Sequence, residues 1–310
     1  MNYTLHQLQI FLCVVKHESI TEAAKELFLT QPAVSIQIKK LQNQFEIPLT
    51  ERLGRKLYIT EFGQQIAEVC REIMAANEEV QATINRYKGL LSGKIHISVV
   101  STGKYVMPYL LKGFVDKYPQ VKVRMDVTNK VQVVQALEEN ATDFALVSVV
   151  PDDIEVDIIN LMENRLYLVA NRKEATKLDR SYLQPKHLGD LPLIFREKGS
   201  ATRTAMEGFI SQHNIPMQQT LALTSNEAVK QAVNAGLGFS IMPLIGLRNG
   251  LLKGELQLVP VKGLPIITTW QLVSRKGKAL PPAATAFWNY ISQNKAAIIQ
   301  EHFLWTSEFN

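Results

Sequence analysis

From Phe62 to Tyr87 the apolar positions advance in alternating steps of four and three: Phe62, Ile66, Val69, Ile73, Ala76, Val80, Thr83 and Tyr87. Sustained over about four heptads, with Glu68, Glu72, Glu78, Glu79, Arg71 and Arg86 elsewhere on the helix, this seam predicts a coiled-coil-like helix of about 30 residues that pairs two chains. A helix that long does not suit the interior of one domain, and it divides the chain into three expected parts, 1–60, 61–90 and 91–310. A chain of 310 residues that is 46% hydrophobic has material for about two cores.

Before the seam, Leu5, Leu8, Leu12 and Val15 recur at helical spacing and predict a first helix ending near His17. Ser19-Ile20-Thr21-Glu22 has the form of a capping box that opens a short helix through Ala23, Ala24 and Leu27. Thr30 is a good N-cap, and Pro32 suits a first helical turn, where its missing N–H costs nothing. On the third helix that follows, Val34, Ile38, Leu41 and Phe45 form one buried stripe. The opposite face carries Pro32, Ser35, Ile36, Lys39 and Asn43, with Gln31 and Gln42 on its shoulder and Lys40 at its edge. A DNA major groove admits such a face: Gln and Ser bond base edges, Ile36 can touch a thymine methyl, and lysines neutralise phosphates. A merely solvated face is the plainer alternative. What favours DNA is the order of parts, because the capped helix is followed by a basic hairpin from Pro48 to Thr60 that turns at Gly54 between Arg52 and Arg55-Lys56 and reads as a wing.

The formal net charge of +5 misleads about where DNA would bind. Up to Lys88 ten basic residues face ten glutamates, but Lys39, Lys40, Arg52, Arg55 and Lys56 oppose only Glu46 and Glu51, which leaves a local basic patch.

Beyond Leu91-Ser92-Gly93 the pattern alternates between strand and helix. Strands are expected at 94–100, 121–127, 143–150, 165–170, 192–196, 221–223, 239–242, 256–259 and 268–273, and helices at 106–118, 131–139, 202–213, 226–235 and 281–298. Such alternation predicts parallel sheets covered by helices, arranged as two lobes. Ligands of such sheets sit at the carboxyl ends of strands beside helix N-termini, which attract anions. Ser101-Thr102-Gly103 and Gly199-Ser200-Ala201-Thr202-Arg203 match that position, and Asn129 and Ser148 end later strands. Ordinary capping explains any single one of them equally well.

Enzyme motifs are missing. Ser98-Val-Val-Ser-Thr-Gly103-Lys104-Tyr105 has Ser98 where a phosphate loop needs glycine and Tyr105 where it needs Ser or Thr, and the histidines form no H-E-x-x-H. Gly236-Leu-Gly238-Phe-Ser-Ile241 lacks the third glycine of a dinucleotide fingerprint, and no nucleophile elbow is present. Cys13 and Cys70 lie in helical segments and form no spaced framework. The expectation is a chain that is no enzyme and holds no metal or cofactor. It is expected to carry neither an export signal nor a membrane span and to work in a reducing cytoplasm.

Leu8-Gln-Ile-Phe11, Ser19-Ile-Thr-Glu-Ala-Ala24, Thr30-Gln-Pro-Ala-Val-Ser35, Ile38-Lys-Lys-Leu41 and the run from Leu49 to Gly63 strongly resemble the LysR-type transcriptional regulators, over nearly the whole chain. One difference is Thr50, where that family usually has phenylalanine. The resemblance implies an N-terminal all-α winged helix-turn-helix, a linker helix that dimerises, and a two-lobed α/β effector domain similar to type 2 periplasmic binding proteins. It also implies dimers of dimers on double-stranded promoter DNA, with RNA polymerase as a further partner. The expected DNA-contacting residues are Thr30, Gln31, Pro32, Ser35, Ile36, Lys39, Arg52 and Arg55. The family's effector-cleft positions fall on Ser101, Thr102, Asn129, Ser148, Ser200 and Thr202. The segment Glu197-Lys-Gly-Ser-Ala-Thr-Arg203 looks like the subgroup regulating carbon fixation and sulfur metabolism, whose ligands tend to be small anions or phosphorylated metabolites. The alternatives are a solute-binding protein, which would not carry the first 90 residues, and an enzyme acting on a phosphorylated substrate, which would need an acid, base or metal set.

Overall fold

The computed structural model describes residues 2–54, 56–87, 91–150, 154–178, 183–216 and 219–309. The chain forms two compact units, Met1–Leu90 and Leu91–Asn310.

In the first unit, α1 (Leu5–His17), α2 (Ile20–Glu26) and α3 (Gln31–Gln42) precede a hairpin of β1 (Thr50–Leu53) and β2 (Lys56–Ile59) and then α4 (Glu61–Tyr87). Local capping sets the helix starts. The hydroxyls of Ser19, Thr30 and Thr60 accept the backbone N–H groups of Glu22, Ala33 and Gly63. At Ser19 the expected reciprocal limb gives way to an ion pair, since the Glu22 carboxylate takes the Lys25 ammonium at 2.7 Å. The buried face of α1 also differs from the expected stripe. Leu8, Ile10, Phe11 and Val14 are buried whereas Leu5 is 42% exposed. Gln9 and Lys16 share the side of the helix that carries Leu5 and keep it in solvent, so the buried face turns toward Ile10, Phe11 and Val14. Phe45 lies past the end of α3 and packs edge-on against Phe62.

The second unit opens with β3 (Gly93–Val100), α5 (Met107–Lys117), β4 (Val121–Thr128), α6 (Lys130–Glu138) and β5 (Phe144–Val147). It continues through β6 (Val156–Asn171), α7 (Arg172–Lys177), β7 (Leu193–Arg196), α8 (Ala201–Gln212), β8 (Gln219–Leu223) and α9 (Asn226–Asn234). The last elements are β9 (Ser240–Pro243), α10 (Arg248–Leu252), β10 (Leu256–Val259), β11 (Ile266–Arg275) and α11 (Pro282–Phe303). Strands β4, β3 and β5 run parallel, as do β7 and β8. The remaining pairings correct the all-parallel expectation: β11 is antiparallel to β5 and β6, and β9 and β10 are antiparallel to β6.

The strand expected at 165–170 is the second half of β6, which spans 16 residues. Its first half interleaves Asp157, Asn160, Glu163 and Asn164 with apolar residues, and its order comes from pairing with the distant β11 rather than from its own alternation. Together β6 and β11 run through both lobes. One lobe core gathers Ile97, Phe114, Phe144, Trp270 and Phe287. The other gathers Leu168, Phe195, Phe209 and Phe239, with Val169, Ile194 and Val233 on its far side.

Candidate functional site

On α3 the narrow stripe Val34, Ile38 and Leu41 is buried, which fixes the rotation of the helix and turns Gln31, Pro32, Ile36, Lys39 and Lys40 to solvent. Ile36 is 54% exposed although apolar, and Ser35 lies at the edge of the same face, half-buried. Thr30 spends its hydroxyl on the Ala33 N–H. Gln42, expected on the groove shoulder, turns instead to the wing: its amide oxygen accepts from the Leu49 N–H at 2.5 Å and its amide nitrogen donates to the Ile47 carbonyl. Arg52 lies in β1 opposite Leu57, beside the turn at Gly54, where φ is +62°. Arg55 lies outside the described residues.

Along α4, Gly63, Ala67 and Cys70 face the helical core of their own unit. The seam positions Val69 and Val80 are 50% and 57% exposed, and Ala76 is exposed as well. The side chains of Thr83 and Tyr87 lie outside the described residues. Cys13 and Cys70 are free thiols within the core, and burial pushes both thiols above their ordinary range.

All six effector-cleft candidates line one narrow cleft in the second unit, whose accessible volume is about 10 Å³. Ser101 follows β3, and Thr102 caps a single 3-10 turn at Gly103–Tyr105. Asn129 is the N-cap of α6, Ser148 follows β5, and Ser200 and Thr202 flank the first residue of α8. Asn129 is already engaged, accepting from the Gln132 N–H at 3.0 Å. The hydroxyls of Ser101, Thr102, Ser148, Ser200 and Thr202 bond to no described residue, though Thr102 and Ser200 are 4% and 3% exposed. These hydroxyls face a cleft without a protein partner and are available as donors and acceptors to a ligand there.

Sequence reasoning missed Lys130, Arg196 and Asn226 in the same wall. Asn226 opens α9 behind its own N-cap Ser225, and its amide oxygen is buried without a partner. The Arg196 guanidinium grips Glu197 through Nε and Nη2, both at 2.8 Å, while Nη1 bonds to no described residue. Glu197 therefore offsets the Arg196 charge, and the field in the cleft comes from Lys130 and the N-termini of α6, α8 and α9. That combination suits a small anion.

Beside the cleft, the Tyr105 hydroxyl of one lobe donates to the Glu227 carboxylate of the other at 2.8 Å. Burial and then Glu227 itself push the Tyr105 phenol well above its ordinary range. Burial works against the charge of Glu227, but hydrogen bonds from Lys230, Tyr105 and Gln231 outweigh it and hold its pKa below the usual carboxylate range.

Comparison with known proteins bears on both units. Residues 5–64 match the family described as bacterial regulatory helix-turn-helix protein, lysR family, and residues 88–296 match the LysR substrate binding domain. The HTH-type transcriptional activator CmpR of Synechocystis sp. is 35% identical over 96% of this chain and 97% of its own. The RuBisCO operon transcriptional regulator of Allochromatium vinosum is 36% identical over 96% of this chain and 98% of its own. Among solved structures, the Synechocystis PCC6803 CcmR regulatory domain in complex with 2-PG is 31% identical, with a TM-score of 0.62 over 65% of this chain and 97% of that one. Full-length CbnR complexed with its target DNA is 20% identical, with a TM-score of 0.66 over 94% of this chain and 99% of that one, a likeness of fold.

Proposed function

The chain belongs to the LysR family of bacterial transcriptional regulators, and on that premise we propose that α3 and the wing read promoter DNA while a small anion in the interlobe cleft shifts the binding. It is a DNA-binding transcriptional regulator whose second unit is the family's ligand-binding domain. The observation that carries the effector reading is the ring of unpartnered hydroxyls at helix N-termini around one cleft. An oxyanion there receives hydroxyl and backbone N–H donors and meets the positive ends of helix dipoles. The 2-PG bound by CcmR and the RuBisCO-operon role of relatives favour a phosphorylated or carboxylated small metabolite.

The proposed division of labour is 1–60 for DNA, 61–90 for pairing and 91–310 for the effector. Val69, Ala76 and Val80 form an apolar seam that a lone chain leaves open and a second copy would cover. A homodimer joined along α4 presents two reading helices to paired half-sites, and two such dimers make the working tetramer. RNA polymerase is the downstream partner, and the setting is the cytoplasm. The ligand acts by favouring one arrangement of the lobes over another, and it shifts DNA affinity only by as much as its own affinity differs between them.

Two measurements test these roles. In binding assays on promoter fragments, Gln31→Ala and Ser35→Ala are expected to weaken sequence discrimination by about 1–3 kcal/mol per lost base contact. Lys39→Ala lowers affinity for every sequence and flattens the salt dependence by about one unit of slope. Unchanged discrimination in the first pair removes α3 from the reading role. For the cleft, titration with 2-PG is expected to need about tenfold more ligand in Thr102→Val and Ser200→Ala, the equivalent of roughly 1.5 kcal/mol for a hydrogen bond to a charged group. Affinity for DNA without ligand stays at its original value, and a variant that loses both has misfolded.

A further inference from the structure

A second cavity, of about 340 Å³, lies on the other side of the Tyr105–Glu227 contact. Its walls are aromatic, from Tyr105, Tyr109, Phe303 and Trp305, and its charged lining is entirely basic: Lys104, Lys230, Arg248 and His302. Among the described residues no carboxylate lines it. Lys104 and Arg248 are held by rings rather than by acids. Lys104 Nζ sits 5.1 Å from the Tyr105 ring centroid, and the Arg248 guanidinium sits 5.2 Å from that of Trp305. The His302 ring lies 4.8 Å from that of Tyr109. Lys230 is shared with Glu227 at 2.9 Å, and His302 has only the exposed Glu301 at 3.6 Å. Lys104 and Arg248 have no carboxylate within ion-pair distance among the described residues.

An ordinary solvated surface intersperses both signs of charge, whereas this cavity collects one sign and fixes it against rigid rings. A concave wall lined by one sign of charge focuses the field inside it. Lys230 and His302 each have one neighbouring carboxylate, whereas Lys104 and Arg248, on separate elements, have none among the described residues, so a ligand that meets both carries at least two negative groups. The volume is that of a small-metabolite site.

From these observations we infer that this cavity is a second ligand site, for a compact organic or inorganic polyanion carrying two or more carboxylate or phosphoryl groups. It is separate from the cleft between Ser101 and Ser200, and it draws its lining from both lobes. Lys104 and Tyr109 belong to the lobe of β3, Lys230 to α9 in the other lobe, and Arg248 to α10. Tyr105 forms one wall and reaches Glu227, the neighbour of the cleft residue Asn226. Gly246 permits this placement, since a Cβ there would stand 3.0 Å from the Tyr105 ring. A polyanion bound across both lobes therefore changes the affinity of the cleft for its own ligand, and the coupling is reciprocal.

The test is calorimetric titration of the full-length protein with citrate and with pyrophosphate, at about 0.15 M salt so that exposed charges are screened. Saturable binding of at least one probe is expected, weakened tenfold or more by Arg248→Met and by Lys104→Met, partly restored by Arg248→Lys, and unchanged in Ser200→Ala. Circular dichroism melting of the variants is expected to match the parent, because Arg248 is exposed and Lys104 half-exposed. Absence of saturable binding by both probes overturns the inference. Binding that Ser200→Ala abolishes and Arg248→Met leaves intact also overturns it, and places the probe in the cleft. The cleft reading fails separately, through loss of any effect of Thr102→Val on titration with 2-PG.

Discussion

Gly63→Ala will lower promoter affinity more than tenfold while leaving the unit 91–310 folded. Gly63 lies in the first turn of α4, where the helix passes so close to the wing that an added Cβ would stand 2.1 Å from the Leu49 carbonyl oxygen and 2.9 Å from Ile59 Cγ2. The first obstacle is backbone, so no side-chain rotation relieves it. That carbonyl also accepts the Thr60 N–H at 3.1 Å, and the Thr60 hydroxyl donates to the Pro48 carbonyl at 2.6 Å while capping α4. The start of α4 and the base of the wing therefore move together or not at all. Alanine in a helix gains up to about 1 kcal/mol over glycine, but overpacking against fixed backbone costs about 1–3 kcal/mol or more, and relief requires shifting β1 and β2 away from α3. The expected result is a loss of more than tenfold in promoter affinity and a lower melting temperature for the N-terminal unit. Ligand titration of the second unit remains normal. Promoter affinity kept within about twofold would mean that the wing is not positioned through this contact.

The same junction separates what the sequence states locally from what only the fold supplies. Ser19, Thr30 and Thr60 announce their helices because capping involves residues three apart, and all three caps are present. The tight approach of Gly63 to Leu49 joins residues distant in the chain and leaves no local mark. In the second unit, Ser101, Thr102, Asn129, Ser148, Ser200 and Thr202 were legible as one group because each follows a strand or opens a helix, and parallel topology brings such ends together. Asn226 obeys the same rule but is masked by Ser225, which takes the cap. Arg196 ends β7, whose four residues are all buried, so no alternation says which way its side chain turns. The antiparallel pairing of β6 with β11 joins segments about a hundred residues apart, and the polar first half of β6 carries no periodic signal for it. Lys104, Arg248 and His302 converge from three separate elements, and nothing in the order of residues foretells that they share a cavity.

Arg196→Met will remove the response to ligand and destabilise the second unit, and adding Glu197→Gln will restore the stability without the response. Arg196 is 3% exposed, and its fork of donors holds both carboxylate oxygens of Glu197. Its own carbonyl accepts Arg203 Nη1 at 2.9 Å, and Arg203 in turn stacks on Phe195 and pairs with Glu207. Removing one member of a fully buried pair costs about 3–5 kcal/mol because the other charge is stranded. Glu197 keeps 20% of its side chain in contact with solvent, which reduces the expected loss to roughly 2–3 kcal/mol and the melting temperature of this unit by about 5–10 °C. Neutralising Glu197 removes the stranded charge, so the double variant is expected to melt within a few degrees of the parent. Its ligand response stays absent for a different reason. Arg196 Nη1 carries two N–H donors that no described residue accepts, on the same cleft wall as the free Ser200 hydroxyl, and a hydrogen bond from a charged donor to an oxyanion is roughly twice as strong as one between neutral groups. Thermal melts of both variants, run beside 2-PG titrations of promoter binding, separate the two roles. A double variant that melts normally and still responds to ligand would reduce Arg196 to a structural partner of Glu197 and leave Lys130, the helix N-termini and the hydroxyls as the whole of the anion site.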